Sequence, residues 1–239
     1  MRIIVFVCIV VIFISCSNNR KNEQNQYAEN NHDIVVIETE GNTKFTDEEN
    51  IKSGHIIIQA GTRTIQDEQY REMNIFSIDI PDTVTYIGDF AFWGNELEEV
   101  ILPKNLTEIG IGAFRNNKLK SITIPDTVKN ITIGAFANNR LVEIHISRNI
   151  EFIFTDSFSN NLLSKIIIPD SVKMIMGGAF TNNRIIEISI GENVELRKSE
   201  YRNNIFGEYC ELFCEYYIRN NMQAGSYRYN EEANEWELL

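Results

Sequence analysis

The residues of this 239-residue chain best suited to catalysis or metal binding are three histidines and four cysteines. His32, His55 and His145 lie far apart and share no metal-ligand spacing, and no glycine-rich phosphate loop or nucleophile elbow accompanies them. His145 reads as a solvated side chain rather than a catalyst. Cys210 and Cys214 stand one helical turn apart, which would place their Cβ atoms about 5–6 Å from each other, farther than a relaxed disulfide accepts. They read as two buried thiols in a helix, with a redox pair or a metal site as alternatives. The expectation is therefore no enzyme, no cofactor and no metal.

A different chemistry belongs to Cys16. The chain opens "MRIIVFVCIVVIFISC", in which Arg2 precedes twelve apolar residues from Ile3 to Ile14. That is the core of a signal peptide and too short to span about 30 Å of hydrocarbon. Ser15 before Cys16 resembles the lipobox of bacterial lipoproteins, with Phe13 standing where leucine is usual. The resemblance implies a diacylglycerol thioether on Cys16 and an acylated new amino terminus. An ordinary secretory signal with a chance cysteine is the alternative, and both readings export the protein and remove Cys8. Several acyl chains would anchor it stably where one would not. The following stretch, "SNNRKNEQNQYAENNHD", is almost without apolar residues and reads as a tether that cannot bury enough surface to fold.

The remainder is globular in composition, with 43% hydrophobic residues. A net charge of -12 argues against nucleic acid as a partner and against lying flat on an anionic bilayer.

The elements that would position any binding residue come from a repeat. "IPDTV" occupies residues 80–84 and 124–128, and "IPDSV" residues 168–172. Written in rows of 22 from Asp79, five rows align without a gap, and all four prolines of the chain fall in the third column. Columns 2, 6, 9, 19 and 22 are Ile, Leu or Val almost throughout, and column 14 is Phe92, Phe114, Phe136, Phe158 and Phe180. These predict a stacked core. Around column 22 the residues alternate in and out as in a short strand, so that Ile144 and Ile146 point inward while Glu143 and His145 point out. Proline then ends the strand, having no N–H to donate. Ala91, Ala113, Ala135 and Ala179, with Ser157, hold a column where coils approach closely. The Asn pairs at 116–117, 138–139, 160–161 and 182–183 predict side chains bridging turn groups of adjacent coils; glycosylation or ligand binding is the alternative.

Column 4 alternates in sign through Asp82, Lys104, Asp126, Arg148 and Asp170, and column 21 runs Glu99, Ser121, Glu143, Lys165, Glu187. Facing opposites would help fix the stacking. Upstream, residues 57–78 keep Ile58, Ile65, Tyr70, Ile75 and Ile78 in register as a degenerate first coil. After Ile188 the pattern fades. Phe206, Cys210, Phe213 and Tyr217 then recur at helical spacing, predicting a C-terminal lid.

The combination "AFxNNxLxxIxIPDTVxxI" resembles the leucine-rich repeats of Treponema and of BspA-like surface proteins, and the 22-residue period lies in the leucine-rich repeat range. The ending, with Ala224-Gly225, Tyr227, Tyr229 and Trp236, is similar to the C-terminal module of spirochaetal members. This resemblance implies a leucine-rich repeat solenoid, a right-handed β/α superhelix with a parallel concave sheet and a C-terminal helix-plus-strand cap. It also implies binding of proteins, including host matrix proteins. The expected organisation is 1–15 lipoprotein signal peptide, 16–33 lipidated tether, 34–56 N-terminal cap, 57–188 solenoid and 189–239 C-terminal cap. The expected partner face is Glu99, Ser121, Thr123, Glu143, His145 and Lys165, on a protein lipid-anchored in the outer membrane of a bacterial envelope. Its partner would be a host matrix or envelope protein; the alternative is a periplasmic structural or assembly lipoprotein.

Overall fold

The computed structural model describes residues 35–37, 54–198, 205–206 and 210–239, with the backbone alone for 35–37, 210 and 211. In chain order the strands are β1 (Val35–Ile37), β2 (His55–Ile58), β3 (Thr64–Ile65), β4 (Ser77–Asp79), β5 (Tyr86–Ile87), β6 (Glu108–Ile109), β7 (Ser121–Thr123) and β8 (Asn130–Ile131). They continue as β9 (Glu143–His145), β10 (Phe152–Ile153), β11 (Lys165–Ile167), β12 (Met174–Met176), β13 (Glu187–Ile190) and β14 (Glu195–Arg197). Helix α1 (Cys210–Arg219) and strands β15 (Gly225–Asn230) and β16 (Glu235–Leu238) follow.

The coils form a parallel β-solenoid, and most of them carry two short strands where the repeat pattern suggests one. The first strand column holds β1, β2, β4, β7, β9, β11 and β13, paired one coil apart as β1–β2–β4, β7–β9 and β11–β13, with no ladder between β9 and β11. Between β4 and β7, residues 99–101 form no strand. The second column is two ladders, β3–β5–β6 and β8–β10–β12–β14. Within residues 54–198 the connecting segments are turns and no residue is α-helical.

The gap between β6 and β8 has a cause in one column. A Cβ on Gly88 would lie 2.5 Å from the Asp67 nitrogen, and one on Gly110 would lie 2.4 Å from the Asp89 nitrogen. Those coils therefore approach as only glycine permits. In the next coil the position is Thr132, whose Oγ1 donates to the Ile109 and Gly110 carbonyls at 2.9 and 2.8 Å. A side chain occupies the place where the backbone ladder would close.

The turn opposite the strands explains the repeat's polar letters. Two positions per turn are left-handed: column 12, with Phe90, Gly112, Gly134, Asp156 and Gly178, and column 16, with Gly94, Asn116, Asn138, Asn160 and Asn182. Glycine and asparagine are the residues that adopt this conformation most readily. The twist lets alternate turn N–H groups reach the following coil, as from Gly112 to Ile133 O, Phe114 to Ala135 O and Asn116 to Ala137 O at 2.9, 2.9 and 3.0 Å.

The paired asparagines thus have different jobs. The first of each pair is left-handed; the second is the buried bridge. Asn139 Nδ2 donates to Phe114 O and Phe136 O at 2.9 and 3.1 Å, while its Oδ1 accepts from Leu119 N at 3.0 Å. Asn95, Asn117, Asn161 and Asn183 repeat this pattern.

Behind the turn runs a continuous aromatic stack of Tyr70, Phe92, Phe114, Phe136, Phe158, Phe180 and Phe206, with adjacent centroids 5.2–5.6 Å apart. Burial pushes the Tyr70 phenol up to about 12 from the ordinary 10.0. The fold holds this proton more tightly than the unfolded chain does, so the contribution to stability is complete below pH 10 and is lost as pH rises toward 12. Ultraviolet difference titration should show Tyr70 ionising together with alkaline unfolding, and Tyr70→Phe should move that unfolding to higher pH. An unchanged alkaline midpoint would contradict this.

The stack runs one coil beyond the point where the sequence pattern fades. Leu196 pairs with Ile175 at an offset of 21 rather than 22, and Phe206 stacks on Phe180 at an offset of 26, with Phe180 N donating to Ile205 O at 2.7 Å. Phe206 accordingly precedes α1 instead of lying on it. The helix buries Phe213, Cys214 and Tyr217 and exposes Leu212 and Ile218. Phe213 meets Phe206 edge-on at 5.2 Å and Trp236 at 5.0 Å, and the Tyr217 hydroxyl donates to Gly191 O at 2.6 Å. β15 joins β13 antiparallel, and β16 joins β15.

Candidate functional site

On the first strand column, Ser121 and Thr123 of β7 stand opposite Glu143 and His145 of β9. Lys165 begins β11, and Glu99 lies in the strandless stretch beside β7; all six side chains are exposed. Two large apolar residues share this face: Ile101 is 86% exposed and Ile167 59% exposed. Lys165 Nζ reaches Glu187 at 3.0 Å, and Arg228 Nη2 reaches the same carboxylate at 2.7 Å. Hydrogen bonds from these two cations, Lys165 first, hold the Glu187 carboxyl below its usual range. Glu143 turns to His145 on its own strand at 3.7 Å.

The predicted charge alternation is realised in part. Lys104 pairs with Asp82 at 2.6 Å, but Arg148, in the same column, forms no ion pair with Asp126 or Asp170. Further one-coil pairs lie in columns that the alternation did not single out: Lys118–Glu96, Lys120–Glu98 at 2.6 Å and Lys173–Glu151 at 2.5 Å. These pairs tie neighbouring coils at the surface, with Glu96, Lys118 and Glu151 half-buried and the others exposed, so each contributes little to stability.

The second strand column presents a different surface. Where earlier coils put Tyr86 and Gly88, Glu108 and Gly110, or Asn130 and Thr132 outward, the next two put Phe152 with Phe154 and Met174 with Met176, all half-buried. Phe152 pairs with Met174 across the ladder. The Glu195–Arg197 ion pair at 2.6 Å lies beyond the methionines on β14.

The sequence pattern described as "BspA type Leucine rich repeat region" matches this chain in six copies, over residues 38–162 and 107–218. The chain belongs to the BspA-type leucine-rich repeat family. Leucine-rich repeat proteins of this kind generally act by binding other proteins. No curated protein matches the chain. Among solved structures it is similar to a leucine-rich repeat protein from Bacteroides ovatus, with 20% identity, a TM-score of 0.35 and coverage of 62% of this chain and 52% of that one. It is also similar to a leucine rich cell surface protein from Faecalibacterium prausnitzii, with 17% identity, a TM-score of 0.31 and coverage of 64% and 62%. The chain thus spans between half and two thirds of the length of those structures.

Within this BspA-type solenoid the histidines and cysteines fall as follows. His32 and Cys16 lie outside the described residues, as does the Cys210 side chain; Cys214 is buried in the lid. His55 is joined by Ser77 and Asp79, which sequence separation concealed: Nδ1 lies 2.8 Å from Ser77 Oγ and Nε2 3.6 Å from Asp79 Oδ2. The residue types are those of a hydrolase triad, yet the arrangement is a cross-strand contact. Ser77 and Asp79 come from one strand, and β4 lies in a parallel ladder with β2. Among the described residues no three His, Cys, Asp or Glu gather as a metal cluster, and no helix is long and apolar enough to cross a membrane.

Proposed function

We propose that this BspA-type protein is a non-enzymatic, exported binding module, held at the cell envelope by lipid on Cys16, that docks another protein on its first strand column. The observation that carries the reading is the pairing of exposed Ile101 and Ile167 with the polar set Glu99, Ser121, Thr123, Glu143, His145 and Lys165. Apolar anchors among polar neighbours are what a protein interface needs. The signal-like leader and the Ser15-Cys16 pair support export and lipidation, and mass spectrometry of the mature amino-terminal peptide tests the lipid. Kinship supports adhesion to host proteins. A periplasmic role in contact with envelope components is the competing version, and protease shaving of intact cells separates the two.

The half-buried Phe152, Phe154, Met174 and Met176 favour a second seat, because methionine and phenylalanine adapt to varied apolar partners. Photo-crosslinkers at positions 101 and 167, against others at 154 and 176, discriminate the faces in cells that make the protein. Adducts from the first pair, abolished by Ile101→Glu with Ile167→Glu, support the strand-face reading. Adducts only from the second pair move the interface to the second column.

A further inference from the structure

We infer that the turn edge of the third, fourth and fifth rows holds a binding site for a tetrahedral oxyanion of the sulfate or phosphate class, formed by Lys129, Arg148 and Ser171. One column shows where the regular stitching fails. Thr83, Asn105, Thr127 and Asn149 each donate a side-chain hydrogen bond to a carbonyl of the preceding coil: Thr62 O at 2.8 Å, Asp82 O at 2.9 Å, Lys104 O at 3.2 Å and Asp126 O at 2.8 Å. Ser171 holds the same column, and its buried hydroxyl makes no hydrogen bond. A buried hydroxyl without a partner is costly and rare, and to meet an ion in the adjoining depression Ser171 has to turn about χ1 into another staggered rotamer.

That residue lines a surface depression of about 380 Å³ together with three cations, Lys129, Arg148 and Lys173, and two carboxylates, Asp126 and Glu151. Of the two carboxylates, Glu151 is paired with a cation, while Asp126 is held by a neutral hydroxyl and keeps its charge, so the three cations leave the depression with a net positive charge of one. Asp126 Oδ1 accepts from Ser147 Oγ at 2.9 Å, and Glu151 accepts from Lys173 at 2.5 Å. Lys173 and the more distant Lys129 hold the Glu151 carboxyl below its ordinary value. Among the described residues neither Arg148 nor Lys129 has an ion-pair partner, in a protein whose net charge is -12. Arg148 also stands where the adjacent rows carry Asp126 and Asp170, in the one row of the five where Ser147 replaces proline.

The uncommitted donors come from three successive coils, each about 4.8 Å from the next. A planar carboxylate presents two oxygens in one plane and reaches two of them. A tetrahedral ion has oxygens directed toward all three, and charge-assisted bonds from guanidinium and ammonium are the stronger kind. The cations are exposed, so the affinity for a free ion is weak, about 1 mM or weaker.

The test is an amide NMR titration of the full chain with sodium sulfate and then sodium phosphate, with ionic strength held constant by sodium chloride. Saturable shifts at Lys129, Arg148 and Ser171 are expected. They should weaken at least about tenfold in Arg148→Glu, as befits loss and reversal of one charge-assisted contact, and severalfold in Ser171→Ala, which leaves the charges untouched. Lys104→Glu, on the same edge but already paired with Asp82, should bind as the parent does. Shifts that grow linearly without saturating, or that persist in Arg148→Glu, overturn the site. A parallel arm with sulfated and unsulfated dextran identifies the source: tighter binding of the sulfated polymer, in competition with sulfate, points to an ester on a polysaccharide, and saturation by the inorganic ion alone to a free ion.

Discussion

Replacing Asn139 by alanine should destabilise the solenoid by about 3–5 kcal/mol, while replacing its neighbour Asn138 by alanine should cost only about 1–2 kcal/mol. The letters are the same, but the surroundings differ. Among the described residues Asn139 is the only hydrogen-bond acceptor for the buried Leu119 N–H, and an orphaned buried donor costs about 1–3 kcal/mol. The Phe114 and Phe136 carbonyls each keep one further asparagine, Asn117 and Asn161 respectively, so each loses one bond of about 1 kcal/mol rather than becoming bare. Asn138 instead donates to Asn116 Oδ1 at 2.6 Å near the surface and occupies a φ of 56°. Its substitution by glycine, which keeps that backbone freely, should be nearly neutral. Urea denaturation of the variants decides the matter. Equal losses at 138 and 139 would abolish the division of labour between the two residues.

Phe136→Ala should cost about 3–5 kcal/mol as a large cavity in a closed core, enough to unfold much of a marginally stable domain. Phe136 is fully buried and lies between Phe114 and Phe158, at centroid distances of 5.6 and 5.5 Å and interplanar angles of 2° and 9°. Ring contacts add about 0.5–1.5 kcal/mol each beyond area, so truncation removes two such contacts along with the volume. Coupling should be local, because each coil touches only its neighbours. In double-mutant cycles with leucine, Phe136 with Phe158 should be non-additive by about 0.5–1.5 kcal/mol, whereas Phe92 with Phe180 should be additive. Strong coupling across the distant pair would mean that the stack responds as one rigid body.

Much of this was legible because a stacked coil repeats its demands at a fixed interval. The phenylalanine column, the alanine column and the buried asparagine could be read from the 22-residue rows. The second strand column was not, because its strands are two or three residues long and lie between turn signals, too short to show alternation. That hid the outward Phe152, Phe154, Met174 and Met176; their signal was an apolar residue on either side of a core isoleucine, in "FIF" and "MIM". The end of the stack was hidden by changed spacing: Phe206 continues the column after 26 residues rather than 22. Its helical interval to Cys210 and Phe213 mimicked membership of α1. The charge alternation foresaw Lys104 with Asp82 and Lys165 with Glu187, but not that Arg148 would stay apart. Whether a long side chain folds back on its neighbour or reaches into solvent is decided by local geometry that letters do not carry.

The bridge made by each buried asparagine has an implication for inheritance. Asn139 grasps Phe114, Asn161 grasps Phe136, and Asn183 grasps Phe158, always the carbonyl of the stacked ring residue 25 positions back, which for Asn95 is Tyr70. If one whole coil were lost between Phe114 and Asn161, the surviving asparagine would meet the same atom on a different phenylalanine. A copying slip that drops or duplicates complete rows therefore yields a chain whose joints still close, whereas a slip of part of a row strands them. Such a gene can change the reach of its product in single steps, without reinventing the packing each time.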